Sequence, residues 1–146
     1  MFATRADIEA IYGARHLETL VPVDVDFDVA VNRALAAAQS VIESYIRKRY
    51  AVPVTASPVP ASLMNAAIDI ACWKLAPSSD RNSAEITLRA KAHIDWLKDV
   101  AGGKADIDEL EPASMAGAAG QTGAASEGGA VFVSDARRFE RGGRLL

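Results

Sequence analysis

Residues 28–50 read DVAVNRALAAAQSVIESYIRKRY, and the spacing of their apolar side chains decides the fold class. Val31, Leu35, Ala38, Ile42 and Tyr45 recur at alternating steps of four and three. That spacing lines one stripe of a helix. Asn32, Gln39, Ser40, Glu43 and Arg47 fall on the other side, where Glu43 and Arg47 stand one turn apart as a potential pair. Arg47-Lys48-Arg49 closes the segment with cations at the negative end of the helix dipole. By residue type alone the triplet reads as a solvated helix end.

Working outward, Ala51 to Pro60 is a proline loop, and Ala61 to Ala76 is a second helix. Leu63, Met64, Ala67, Ile68, Ala71, Cys72 and Leu75 form its broad apolar stripe, and Ile70 and Trp73 widen it. Only Asn65, Asp69 and Lys74 are clearly polar. A helix apolar almost all round is buried from several sides, so this one belongs at the centre of the fold or between subunits. Pro77 stops it, and Ser78 to Ser83 is a polar turn with capping residues. Ala84 to Ala101 is a third long helix: Ile86, Ala90, Ile94, Leu97 and Ala101 line one face, with Leu88 and Trp96 beside it. Glu85 and Arg89 make a surface pair, and Gly102-Gly103 ends the helix. Upstream, Thr4 with Asp7 three positions on opens a short helix to Tyr12 by a variant of the capping box. Gly13 ends it, and Leu17 to Asp26 reads as a loop.

The expected fold is therefore all-α: a small helical bundle of three main helices plus a short N-terminal helix, spanning residues 1–111. Within it, Ala105 to Glu111 is acidic, anchored only by Ile107 and Leu110. Residues 112–130 hold seven Ala and five Gly, with no Val, Ile, Leu or aromatic residue. Such a stretch buries too little surface to offset its ordering entropy, which predicts a flexible linker. Residues 131–146 then regain anchors: Val131, Phe132, Val133, Phe139, Leu145 and Leu146, among Arg137, Arg138, Arg141 and Arg144. A tether ending in an apolar and basic peptide has the build of an extended C-terminal docking arm; the alternative is a terminus without a role.

Composition agrees with helices. Alanine occupies 29 of 146 positions while aromatic residues make up 6%. Alanine is the strongest helix former and favours close helix approach. Sixteen basic against nineteen acidic side chains give a net charge of −3. A protein that grips nucleic-acid phosphates usually carries a basic excess. The single cysteine, Cys72, forms no internal disulfide. Met1 to Asp7 lacks the basic start and apolar run of a signal peptide, and Ala51 to Ile68 carries three prolines and is too polar to span a membrane. The expectation is a soluble protein made in the cytoplasm.

Motifs for chemistry fail one by one. Asp24, Asp26 and Asp28 open like a calcium loop, but Val29 stands where the turn glycine is needed and Leu35 where the bidentate carboxylate is needed. Asp28 instead suits a cap for the long helix. His16 and His93 are far apart, with no cysteine partner and no zinc-binding spacing. Cys72 sits on a core stripe, where a thiol is inert. Gly117, Gly120 and Gly123 match no dinucleotide fingerprint, and Gly102-Gly103-Lys104 lacks the rest of a phosphate loop. No catalytic, cofactor-binding or metal-binding residue is assigned, and no enzyme activity is expected.

The order of the segments resembles the head–tail connector (head-completion or adaptor) proteins of tailed bacteriophages, in the branch typified by phage Mu. Thr4-Arg5-Ala6-Asp7-Ile8 at the start carries it, as do Glu43-Ser44-Tyr45-Ile46-Arg47-Lys48-Arg49-Tyr50, Val52-Pro53-Val54 and Val59-Pro60-Ala61-Ser62-Leu63. Ala67-Ile68-Asp69-Ile70-Ala71 and the closing Arg138-Phe139-Glu140-Arg141 complete it. The long Gly/Ala segment departs from the family pattern. The resemblance implies a structural virion protein at the head–tail junction, made in the host cytoplasm during assembly. It implies a homo-oligomeric ring, typically twelve-fold, beneath the portal protein, extending the DNA channel towards a downstream neck, stopper or tail-completion protein. Genomic DNA would pass through the lumen without sequence-specific binding, and no membrane is involved. The arm, with Val131, Phe132, Val133, Arg137, Arg138, Phe139 and Arg141, would engage the portal. Arg47, Lys48 and Arg49 would sit at a subunit contact or channel rim. The alternative class is a helical nucleic-acid-binding regulatory protein, with Arg47 to Arg49 and the tail arginines on phosphates.

Overall fold

The computed structural model describes residues 1–76 and 81–113. Five helices follow one another: α1 (Arg5–Tyr12), α2 (Ala14–Leu20), α3 (Phe27–Ile46), α4 (Ala61–Leu75) and α5 (Ala84–Ala101). The described residues contain no strand, only an isolated antiparallel bridge between Tyr50 and Pro112. The all-α expectation holds. No helix among the described residues is long and apolar enough to cross a membrane. The predicted linker from 114 onwards and the predicted arm lie outside the described residues, as do the Pro77 stop and Ser78 to Asp80 of the polar turn.

α4 forms the axis of the body. It packs against both α3 and α5, which also touch each other, and against α2. Every residue from Ala66 to Cys72 is buried, the outcome predicted for a helix apolar almost all round. Ile68 and Ile70 are enclosed completely or nearly so. Burial of such a side chain is worth about 1.5–3 kcal/mol. α3 presents Val31, Ala34, Leu35, Ala38, Ile42 and Ile46 to this core, and α5 presents Ile86, Ala90, Leu97 and Val100. Leu88, placed beside the apolar face of α5, is instead 69% exposed.

The helix ends follow local chemistry. The Thr4 hydroxyl accepts from the Asp7 N–H while the Thr4 N–H donates to the Asp7 carboxylate at 2.7 Å, completing the capping box. Ser83 caps α5 by accepting from the Ile86 N–H at 3.2 Å. Gly103 takes φ +77° just past the end of α5, a conformation that favours glycine.

Three expectations are corrected. Ala14–Leu20 is a helix, so the predicted loop begins later. Gly13, at φ +85°, turns the chain sharply enough for a second short helix to start at once. Leu17 and Leu20, three residues apart, then face the core together. The N-cap of the long helix is Asp26, whose carboxylate accepts from the Val29 N–H at 2.9 Å, while Asp28 bonds Arg5 at 2.6 Å. The same helix ends at Ile46 rather than running to Tyr50. The Arg49 and Tyr50 N–H groups both donate to the Ile46 carbonyl at 2.9 Å, so Arg47 to Arg49 form a turn that swings Tyr50 into the core.

Candidate functional site

Three arrangements in the described body combine charge or exposed apolar surface with defined geometry. The first is a buried polar cluster on α4. Among the described residues Asp69 is the one charged residue in the core, 8% exposed. Tyr12, from α1, donates its hydroxyl to Oδ1 at 2.5 Å, and His93, from α5, places Nε2 3.0 Å from Oδ2. A carboxylate only accepts, so that imidazole nitrogen carries the proton. Arg89, one turn before His93, holds Nε 3.5 Å from Oδ1, within ion-pair range but out of line for a hydrogen bond. Its guanidinium lies 4.7 Å over the Tyr12 ring and also bonds Glu85 at 2.6 Å. The predicted Glu85–Arg89 surface pair thus exists, with Arg89 turned half inward.

Burial pushes the Asp69 carboxyl up, but bonds from His93 and Tyr12 and the charges of His93 and Arg89 outweigh it, so the group sits below the ordinary carboxylate range. Burial, then the bond to Asp69, holds the Tyr12 hydroxyl well above its usual value. Cys72, one turn after Asp69, is pushed up to about 12 by burial and by the Asp69 charge. It is a neutral thiol at physiological pH, not an activated nucleophile. The described residues contain no group of three or more His, Cys, Asp or Glu side chains arranged to hold a metal ion. Tyr12 and His93 are spent on the Asp69 carboxylate, and what the cluster does is tie α1 and α5 to α4.

The second arrangement is at the end of α3. Arg47 and Lys48 are exposed. Arg47 bonds the Glu43 carbonyl at 3.3 Å, while the Glu43 carboxylate accepts from Gln39 at 2.8 Å; the predicted Glu43–Arg47 side-chain pair does not form. Arg49 turns inward. Its Nη1 reaches the Ala105 carbonyl at 3.0 Å, the Val100 carbonyl at 3.4 Å and Asp106 at 2.7 Å. One guanidinium thereby serves the carbonyl end of α5 and the acidic segment after it. Beside it, the buried Tyr50 hydroxyl accepts from the Ile107 N–H at 3.0 Å, and the Ala113 N–H donates to the Arg49 carbonyl at 2.7 Å. Residues 105–113 are thus fastened to the α3 end. The arm residues Val131, Phe132, Val133, Arg137, Arg138, Phe139 and Arg141 lie outside the described residues.

The third arrangement was not anticipated. Val23, Val25 and Val29 are 89%, 46% and 61% exposed, gathered in the α2–α3 loop and the first turn of α3. Next to them a groove of about 300 Å³ runs between α3 and the end of α4, with Val25, Ala30, Ala34 and Leu75 on its walls and Arg33 and Lys74 at its edge. A run of exposed valines is unusual on a solvated surface.

The family model described as Bacteriophage Mu, Gp36 matches residues 2–125. The chain belongs to that family. It is a phage protein of Mu type, which fits a structural or morphogenetic role. Membership of the Mu Gp36 family rests on the helical body and the first part of the Gly/Ala segment, because the match ends before Arg138-Phe139-Glu140-Arg141. No curated protein matches the chain.

Sequence reasoning missed two features. The Asp69 cluster had a signal: a lone acid in an otherwise apolar helix, with Glu85, Arg89 and His93 spaced four apart on the next. The valine patch had a weaker one, the alternation of apolar residues with Asp from Val23 to Val29.

Proposed function

We propose that this Mu Gp36-family protein is a structural component of the phage neck. It assembles as a ring beneath the portal, extends the DNA channel and joins the head to the next neck or tail component. The observation that carries this reading is the family match over residues 2–125. Two properties of the body support it. Its Asp69 carboxylate is bonded to Tyr12 and His93, ties that hold α1 and α5 to α4 and suit a rigid building block. Its exposed valines and the neighbouring groove supply apolar surface of the kind that subunits cover.

A ring needs a heterologous interface, in which one patch of a subunit meets a different patch of the next and the rotation closes. The face from Val23 to Val29 is assigned to that contact, and Arg47 and Lys48 to a neighbouring subunit or the channel rim. Arg49 contributes there only through the segment it holds. The arm from Val131 to Arg141 is assigned to the portal. The mildly acidic net charge suits a conduit through which DNA slides, since a strongly basic lumen would hold the genome.

Electron microscopy of particles made by the phage lacking this gene tests the reading. DNA-filled or leaking heads beside separate finished tails support it. Normally joined virions remove it. A DNA affinity of the purified protein that falls steeply with salt would favour a nucleic-acid-binding regulator instead.

A further inference from the structure

A second groove, of about 240 Å³, lies where the described chain ends. Tyr50, Pro53, Val54 and Leu110 supply its apolar walls, and Glu109 and Glu111 its acidic edge. Among the described residues no cation pairs with either glutamate. The described residues end beside it, at Ala113, which is held there by the Arg49 carbonyl and the Tyr50–Pro112 bridge.

We propose that this groove is the docking site for residues 137–141 of the same chain, Arg137-Arg138-Phe139-Glu140-Arg141. The chemistry is complementary: Phe139 for the apolar walls, and arginines for Glu109 and Glu111. The two grooves discriminate between occupants by charge. The groove between α3 and α4 carries Arg33 and Lys74 and repels a basic segment, whereas this one attracts it. The tether is long enough. The 23 residues from 114 to 136 can reach at most roughly 76–83 Å, at about 3.3–3.6 Å per residue, far more than a return to a groove beside Ala113 needs. A tether of that order keeps the segment at about millimolar effective concentration, so a weak contact is populated within one chain before a second copy competes. Docking covers the arm until another partner binds it more tightly. This inference does not depend on the neck reading, and its failure would leave that reading standing.

The test compares amide chemical shifts of the full-length protein with those of an Arg137→Glu/Arg138→Glu/Phe139→Ala variant at low salt. Besides the shifts at the substituted positions and their chain neighbours, the expected result is a set of changes confined to residues 50–56 and 109–111, with the docked fraction falling roughly tenfold from the loss of two exposed charge pairs and one apolar contact. High salt should reduce the same differences. A charge swap, adding Glu109→Arg and Glu111→Arg to Arg137→Glu/Arg138→Glu, should restore the docked shifts, which an unfolding artefact would not do. Unchanged groove shifts, or changes at Arg33 and Lys74 instead, would overturn the proposal. So would a docked fraction that rises with protein concentration, because that places the segment on another copy.

Discussion

Asp69 and Arg49 each gather groups from distant stretches of chain, but they do so in different surroundings. The Asp69 side chain is 10% exposed and is met by partners from α1 and α5. Arg49 is 28% exposed, and its acidic partner Asp106 is 64% exposed. A charge enclosed in the core is costly if a partner leaves, because water cannot replace it. A half-exposed charge is resolvated and loses less. The first cluster therefore governs whether the body holds together. The second governs where residues 105–113 lie.

The largest effect should come from placing a bare charge beside the cluster. Ile68→Asp puts an unpaired carboxylate into the fully packed face of α4 and should abolish folding; a cooperative melt near the wild-type temperature would show that α4 is not the axis. Asp69→Ala strips Tyr12 and His93 of their acceptor and Arg89 of its countercharge, and should cost about 3–5 kcal/mol in denaturant unfolding. A loss under 1 kcal/mol would place Asp69 on a par with an exposed ion pair. Arg49→Ala should cost less, about 1–2 kcal/mol, and should speed amide exchange selectively across residues 105–113. Uniformly faster exchange over all helices would erase the distinction between the two clamps.

Acid should act on the first clamp. The Asp69 carboxyl is held below its ordinary value in the fold. A depressed folded value contributes stability that is fully present above the unfolded value, near pH 4, and lost as the pH falls through the folded one. Asp69→Asn should therefore show a shallower stability loss below about pH 4 than the wild type; parallel curves would mean that other carboxylates dominate acid unfolding. The smallest effect belongs to Arg47→Ala with Lys48→Ala. Stability should stay within about 0.5 kcal/mol, while ring formation seen by analytical ultracentrifugation or electron microscopy should weaken. Unaltered assembly would leave these two cations as a solvated helix end.

The apolar stripes were legible because periodicity is a property of the chain itself. Val31, Leu35, Ala38 and Ile42 had to share a face once a helix formed, and α5 runs from Ala84 to Ala101 as its capping serine and double glycine indicate. Ala14–Leu20 was not legible. Its two leucines are too few to show a period, and it depends on the Gly13 turn and on the core it covers. The site was less legible than the fold. Asp69, Tyr12, Arg89 and His93 stand on three different helices, and no spacing in the chain announces that they meet.

By itself the sequence determined the all-α class, the three long helices and the burial of α4, since backbone propensity, capping and apolar spacing act over a few residues. Only the tertiary structure decided that the single acid of α4 would face Tyr12 and His93 rather than water. It also decided that Arg49 would turn inward while Arg47 and Lys48 stay exposed, and that three valines would remain uncovered. Those outcomes depend on which faces the packed helices bring together, a long-range choice that no local pattern encodes.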